Sequence, residues 1–304
     1  MRTTDGGAHF VGVPAPQAPL VSGGAASPGS AIDTLRFADA LDGYAFASGP
    51  GGPLWETHDG GAQWSQPAFL TGKTLMGFAT SGGYAFALAG SCQGGTCSDV
   101  GLERADVRTS AWSDIALPVP SGVSQVADMT VHGTNIWISL TTAVAQANQL
   151  LVIGTASGGH FSTAQSPCYA GLGGSITASS DSVLWAVCPT GNLGEVSRST
   201  DGGQHWSTLQ GAGEIANSAV LAPASDTTAV LEPSSQGQLL RTTDGGQTWT
   251  SVPGTSANGP WWAWVGFTDP SVGWALREQA SPSSEQLWRT SDGGATWSGP
   301  VAVG

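Results

Sequence analysis

Short apolar segments separated by tight turns recur along the whole chain. Each copy has an apolar residue, a turn of small polar residues and a second segment rich in aromatic or aliphatic side chains. The copies are FADALDGYAFAS (from Phe37), FATSGGYAFALA (Phe78), MTVHGTNIWISL (Met129), ITASSDSVLWAVC (Ile176), LAPASDTTAVLE (Leu221) and FTDPSVGWAL (Phe267). Gly, Asn and Asp suit such turns because they tolerate positive φ or hydrogen-bond to their own backbone. The pattern predicts two short strands around a tight turn in every copy.

An eight-residue phrase, Thr/Ser-x-Asp-Gly-Gly-x-x-Trp/Phe, alternates with these strand pairs. It joins a third segment, such as VSRSTD, to a fourth, such as HWSTL. The full copies are TTDGGAHF (Thr3–Phe10), THDGGAQW (Thr57–Trp64), STDGGQHW (Ser199–Trp206), TTDGGQTW (Thr242–Trp249) and TSDGGATW (Thr290–Trp297). Decayed copies, RTSAWS from Arg108 and TASGGHF from Thr155, lie in the long interval between the second and third. Four strands in each period of roughly 40 to 50 residues, without helical periodicity, predict the blades of a β-propeller.

We therefore predict an all-β fold, a single β-propeller domain over residues 1–304. The seven-bladed type is expected, with six complete blades of four antiparallel strands and an N-terminal half blade. The half blade is predicted at residues 1–13, and the complete blades at about 31–69, 74–118, 123–165, 173–209, 214–253 and 260–302. The missing half blade and a signal peptide are expected upstream of Met1. Packing between blades is expected for aromatic residues that recur on the second strands: Tyr44, Tyr84, Trp137, Trp185 and Trp274.

The repeated phrase resembles the Asp-box, or bacterial neuraminidase repeat, of the sialidase superfamily fold. The GYAFA and GWAL strands resemble the blades of photosystem II stability/assembly-factor-like propellers, and the likeness extends from Thr3 to Trp297. The resemblance implies that each box aspartate bonds to backbone N–H groups in the turn between third and fourth strands. It gives a structural role to Asp5, Asp59, Asp201, Asp244 and Asp292. Asp-boxes recur in sialidases, xyloglucanases, sorting receptors and non-catalytic assembly factors, so the fold does not fix the function.

Composition narrows the classes of partner. Charged residues make up only 10 % of the chain, the net charge is −13 and the isoelectric point is near 4.4. Nucleic acid and anionic membranes both require a basic surface, so neither is expected as a partner. No apolar run approaches the roughly 20 residues of a membrane span, so membrane insertion is not expected. A monomer without cofactor or metal ion is expected.

The cysteines form two local pairs, Cys92 with Cys97 and Cys168 with Cys188. An even number in a Gly- and Ser-rich chain favours disulfides and an oxidising location, which is extracellular, periplasmic or at the cell surface. Free or buried thiols are the alternative. A zinc site is not expected, because CxxxxC lacks a second half with matched spacing.

Little catalytic equipment remains once the repeat positions are set aside. A sialidase needs three arginines and a Tyr/Glu nucleophile pair. Outside the repeat positions, the only candidate nucleophile in this chain is Tyr169. The arginines that remain there are Arg36, Arg104, Arg108 and Arg277. The Arg-Ile-Pro motif of that family is absent. A general glycoside hydrolase needs two carboxylates roughly 5 to 10 Å apart. Such a pair remains open among Glu195, Glu214, Glu232, Glu278 and Glu285.

The irregular loops opposite the boxes are the expected location of function, because they vary on a rigid scaffold. Trp261 and Trp262 follow Pro260 at the edge of an inner strand, where they are expected to stack on a ligand, while Trp264 is expected in the core. Arg277 and Glu278 supply polar contacts, and Tyr169 is a weaker companion. The alternative is that both tryptophans are structural packing.

We predict a non-catalytic secreted or cell-surface binding module that recognises a protein segment or a carbohydrate on the face opposite the boxes. One alternative is a glycoside hydrolase, sialidase-like or other, using a carboxylate pair. Another is a structural domain of a larger surface protein.

Overall fold

The computed structural model describes residues 11–17, 32, 34–47, 52–93, 96–119, 123–142, 148–155, 157, 160–169, 172–234, 237–255, 260–280 and 283–301. Within these ranges the chain is built from β-strands, and the only helix is a single 3-10 turn at Ala68–Leu70. No helix in this described part is long and apolar enough to cross a membrane. The chain divides into two compact units, one of residues 12–145 and 150–164 and the other chiefly of residues 146–149 and 165–304. We call them the N-terminal and C-terminal units.

The N-terminal unit begins with a three-stranded antiparallel sheet, blade A. Its strands are β1 (Thr34–Phe37), β2 (Gly43–Phe46) and β3 (Leu54–Thr57), in the order β1-β2-β3. An isolated bridge between Glu56 and Ser65 takes the place of a fourth strand. The Asp-box turn thus still brings the chain back beside the third strand.

Blades B and C share one eight-stranded sheet. Blade B contains β4 (Thr74–Ser81), β5 (Tyr84–Gln93), β6 (Thr96–Asp106) and β7 (Ser113–Ile115), and blade C contains β8 (Val123–His132), β9 (Asn135–Thr142), β10 (Asn148–Thr155) and β11 (Ser162–Tyr169). The order is β11-β10-β9-β8-β6-β5-β4, with β7 on β6. The two blades join where Cys97 of β6 pairs with Val123 of β8.

The C-terminal unit contains three further antiparallel blades. Blade D has β12 (Ser175–Ala178), β13 (Leu184–Pro189), β14 (Leu193–Ser199) and β15 (Ser207–Leu209), with β16 (Ile215–Ala216) also pairing with β14. Blade E has β17 (Val220–Pro223), β18 (Ala229–Glu232), β19 (Leu240–Thr242) and β20 (Thr250–Ser251). Blade F has β21 (Trp262–Phe267), β22 (Gly273–Ala280) and β23 (Ser283–Thr290), and a bridge from Arg289 to Ser298 continues it.

In blades A to E the second strand forms the core, because both of its faces are buried. Tyr44, Trp137 and Trp185 are almost completely buried there, as expected from the repeats. Tyr84 is different: it is 37 % exposed, so its predicted packing role is wrong. The buried ring of blade B is Phe86, which lies directly opposite Arg104, as Trp185 lies opposite Arg198 in blade D. The core position of blade B therefore lies two residues later than the repeat pattern predicted.

The all-β propeller fold is confirmed, with antiparallel strands joined in chain order in each blade. Residues 1–10 of the predicted half blade, including Asp5, lie outside the described residues. Both predicted disulfides, Cys92–Cys97 and Cys168–Cys188, are present.

Candidate functional site

The Asp-box turns are held by their own aspartates. In blade E, Asp244 Oδ1 accepts hydrogen bonds from the Thr248 N–H at 2.9 Å and the Thr242 hydroxyl at 2.8 Å. The Thr242 oxygen in turn accepts the Gly246 N–H at 2.9 Å. Gly245 and Gly246 have φ of 77° and 87°, a region that favours glycine. The same bonds recur around Asp59, Asp201 and Asp292.

These hydrogen bonds stabilise the ionised carboxylates. The His205 backbone N–H, followed by the His205 ring, lowers the pKa of Asp201 to about 2. The Thr248 hydroxyl and then its N–H lower the pKa of Asp244 to about 2. Carboxylates occupied in this way fasten turns and are not poised for acid–base chemistry.

Acid should remove the contribution of these carboxylates to stability. Because the folded pKa of Asp244 is depressed below an unfolded value of about 3.9, its ionised form stabilises the fold above that pH. The contribution is lost as pH falls from about 4 towards 2. We expect wild type to exceed Asp244→Asn in free energy of unfolding at pH 6 and to converge with it near pH 2, measured by urea unfolding across pH. A constant difference over that range would contradict the assignment.

The threonine of the box matters as much as the aspartate. Thr242 is buried, and its hydroxyl is the acceptor for the buried Gly246 N–H. Thr242→Val keeps the shape but leaves that N–H without an acceptor, so we expect a loss of about 1–3 kcal/mol in free energy of unfolding. Thr243→Val, at the neighbouring exposed position, is the matched control and should change little. Equal effects of the two substitutions would argue against this role.

A β-bulge decides which tryptophans of blade F face solvent. The β21–β22 register shifts between Trp262 and Trp264, so one extra residue lies on β21. A bulge breaks the alternation of faces. Trp262 is 2 % exposed and Trp264 is 48 % exposed. The predictions that Trp262 lies open to ligand and that Trp264 lies in the core are therefore wrong.

Trp262 is a core residue of blade F. Its Nε1–H donates to the Gly237 carbonyl at 2.9 Å, and its ring packs against Trp288 and Trp297 at centroid distances of 5.6 and 5.9 Å. Arg277 lies over the Trp262 and Trp288 rings, with its guanidinium carbon 5.0 and 5.2 Å from their centroids. Burial lowers the pKa of Arg277. The Arg277 side chain thus packs within the blade, and its role as a polar ligand contact stays a prediction.

Trp261 lies at the end of blade F that is remote from its box. Gly273 pairs with Thr290 at the box end, and Ala280 pairs with Ser283 at the other. The Glu278 N–H donates to the Trp261 carbonyl at 2.9 Å, which places both residues near that other end. The Trp261 side chain is 36 % exposed. Trp261 is the tryptophan of the predicted pair that a ligand can reach.

Exposed apolar side chains also lie near the end of blade D that is remote from its box, on blade D itself and on the last residue of β11. Tyr169 is 47 % exposed and follows Cys168, which is bonded to Cys188 of β13. Leu172 and Leu193 are also exposed, and Leu193 begins β14, opposite the end that leads into the box. The two leucines were not predicted, because single leucines in glycine-containing loops carry no sequence signal.

Glutamates lie at the same ends of blades D and F as these apolar side chains. Glu195 and Glu214 are exposed near the start of β14, and Glu278 pairs directly with Glu285 across β22 and β23. Glu232 differs from them, since it is buried and its Oε1 accepts the Gly237 N–H at 3.3 Å. We call the following residues of the C-terminal unit the non-box surface: Tyr169, Leu172, Leu193, Glu195, Glu214, Trp261, Glu278 and Glu285. Among the residues with described positions, no group of three or more His, Cys, Asp or Glu side chains is placed to hold a metal ion.

Comparison with known proteins identifies the fold. No family model and no curated protein matches the chain. A structure of YCF48 bound to D1 peptide is similar over 94 % of this chain and 87 % of that one, at 16 % identity and a TM-score of 0.57. YCF48 from Cyanidioschyzon merolae is similar over 89 % and 85 %, at 18 % identity and a TM-score of 0.58.

A GH74 enzyme from Niastella koreensis also aligns, over 85 % of this chain and 53 % of that one, at 13 % identity. Its TM-score of 0.33 supports no argument about this chain. At the identities of all three structures a likeness concerns the fold alone. The chain is thus a β-propeller that resembles YCF48 in structure.

Proposed function

We propose that the chain is a binding module that holds a protein segment at the non-box surface and performs no chemistry on it there. The observation that carries the proposal is the exposed Trp261 beside the paired Glu278 and Glu285, at the end of blade F remote from the box. Exposed aromatic residues are typical energetic centres of protein interfaces. Two glutamates held directly opposite each other favour a ligand that brings lysine or arginine.

The chemistry of the surface supports a basic, partly apolar segment over a carbohydrate. A cationic peptide is attracted by the Glu278–Glu285 pair and by the net charge of −13, whereas a neutral sugar gains no charge attraction from them. The YCF48 structure with D1 peptide supports the proposal by analogy, because a similar propeller there holds a peptide.

Peptide and glycan arrays test this proposal. We expect wild type to bind peptides that combine basic and apolar residues. Trp261→Ala should raise the Kd of the best peptide at least about tenfold, which corresponds to about 1.4 kcal/mol. Glu285→Gln should raise the Kd by less than Trp261→Ala does. Its effect should be largest at low salt, where charges are screened least. Leu41→Ala, which removes an exposed apolar side chain beside the box of blade A, is the matched control and should bind normally. Binding to glycans alone, or binding unaffected by Trp261→Ala, would overturn the proposal.

The Glu278–Glu285 pair also favours a second candidate function, glycoside hydrolysis. Directly opposed residues on antiparallel strands have Cβ atoms about 4.5–5.5 Å apart, so the two glutamate side chains can bring their carboxyl groups to the separation of roughly 5 to 10 Å that hydrolysis requires. Trp261 lies nearby for stacking on a sugar ring. Release of reducing sugar from a polysaccharide panel by wild type, and its loss in Glu278→Gln, would establish this function instead.

We further propose a seven-bladed, single-domain, monomeric propeller in an oxidising location outside the cytoplasm. The phrase at residues 3–10 supports a seventh blade, and the two disulfides support the location. A role as one structural domain of a larger surface protein is compatible with the same features.

A further inference from the structure

Three side chains of the N-terminal unit form a hydrogen-bonded chain where blades A and B meet. Asp42 Oδ1 lies 2.7 Å from His58 Nδ1, and His58 Nε2 lies 2.6 Å from the Ser110 hydroxyl. Asp42 is buried, whereas the His58 side chain is 36 % exposed. The His58 side chain, to which Ser110 is hydrogen-bonded, is thus accessible to small molecules.

With a neutral imidazole at His58, the chemistry of the groups gives one direction to both hydrogen bonds. An ionised aspartate only accepts hydrogen bonds, so His58 Nδ1 carries the proton that it donates to Asp42. In that neutral state His58 Nε2 has a free lone pair, to which the Ser110 hydroxyl donates. This is the arrangement of nucleophile, general base and orienting carboxylate that activates serine on unrelated folds.

Backbone geometry sets Ser110 apart from an ordinary turn residue. Its φ is 49°, in the left-handed region that non-glycine residues seldom adopt. The turn around it is fixed by hydrogen bonds from the Thr109 N–H to the Asp106 carbonyl and from the Trp112 N–H to the Ser110 carbonyl. Strained residues held by their surroundings cluster at functional sites.

Asp42 is itself held in place. Its N–H donates to Asp39 Oδ1 at 2.9 Å. The Asp42 and Leu41 N–H groups lower the pKa of Asp39, to which the charge of Arg108 adds. Asp39 therefore stays ionised and braces the turn from which Asp42 reaches His58.

Hydrogen bonding between neighbouring blades does not by itself require a histidine at position 58. In the C-terminal unit, Ser179 donates directly to Asp226 at 2.9 Å, Arg198 to the Asp226 carbonyl at 2.7 Å and Arg241 to the Gly293 carbonyl at 2.8 Å. Direct bonds suffice there, and the described boxes of that unit have Thr or Ser at the position of His58.

We propose that Ser110 is an activated nucleophile for small acyl esters, with His58 as its base and Asp42 as a positioning residue. The Ser110 oxygen bonds to the ester carbonyl carbon as its proton passes to His58 Nε2. The tetrahedral adduct collapses, the C–O bond to the leaving alcohol breaks, and that oxygen takes the proton from His58. Water, deprotonated by His58, then hydrolyses the acyl-serine and restores the hydroxyl. The activity lies outside the non-box surface and is separate from peptide binding.

A fluorophosphonate probe tests the nucleophile in the intact protein. Its phosphorus bonds to an activated serine oxygen, fluoride leaves, and the proton goes to the base. We expect peptide mass spectrometry of native protein to locate the adduct at Ser110. His58→Gln should slow labelling about 100-fold, the usual contribution of a general base. Ser271→Ala is the control, since the Ser271 hydroxyl bonds an aspartate directly without an imidazole, and it should label as wild type does.

Hydrolysis of p-nitrophenyl acetate tests the role of Asp42. Asp42→Asn should lower kcat at least about tenfold with KM unchanged, because the altered tautomer and orientation of His58 affect the reaction and not substrate binding. Ser110→Ala should abolish the reaction yet bind peptides normally. Absence of label at Ser110, label spread equally over several serines, or normal labelling of a folded His58→Gln protein would overturn the proposal.

Discussion

Replacing Trp262 with alanine should lower the free energy of unfolding of the C-terminal unit by about 3–5 kcal/mol, the usual cost of removing a buried tryptophan. The indole fills the space between Trp288 and Trp297 and supports the Arg277 guanidinium. Its loss also leaves the Gly237 carbonyl without its donor. Urea unfolding followed by tryptophan fluorescence measures the effect.

Trp264→Ala is the matched control in the same strand. Because that ring is about half exposed, we expect a loss of about 1 kcal/mol or less. A stable Trp262→Ala protein together with a strongly destabilised Trp264→Ala protein would show that the bulge in β21 is misplaced.

Removing the Cys168–Cys188 disulfide should have a comparably large effect. The bond closes a loop with a sequence separation of 20 residues, and both cysteines are buried. For a loop of this size, chain entropy predicts that replacing both cysteines with alanine lowers the free energy of unfolding by about 3 kcal/mol. The measurement is the free energy of unfolding from urea titration under non-reducing conditions.

The shorter disulfide provides the comparison. Cys92–Cys97 has a sequence separation of 5 residues, so its removal should cost less, about 2 kcal/mol in the same treatment. If removing Cys92–Cys97 lowers the free energy of unfolding more than removing Cys168–Cys188 does, the loop-size argument is contradicted.

Local patterns in the sequence were sufficient to predict the strands of the blades and the turns of the Asp-boxes. Alternating apolar residues and Gly-rich turns act over a few residues, so strands such as β13 and β14 and the turn at Asp201 follow from short segments. The β-bulge between Trp262 and Trp264 could not be predicted from such short segments. One inserted residue exchanges the two faces of a strand, and the apolar pattern of WWAWVGF is the same with or without it.

Long-range arrangements were beyond the sequence for a different reason. Asp42 and Ser110 lie 16 and 52 positions from His58, and their meeting depends on how blades A and B pack. The pairing of Glu278 with Glu285 likewise depends on the β22–β23 register. Neither arrangement forms a motif that can be read along the chain.

Photo-crosslinking of a bound peptide tests the central claim most directly. A basic peptide selected on the array would carry a photo-reactive group at each position in turn, and mass spectrometry would identify the crosslinked residues of the protein. Our account predicts crosslinks to Trp261 and to the adjoining strands at Glu278 and Glu285. Crosslinks that cluster instead on the box turns at residues 199–206, 242–249 and 290–297 would contradict it.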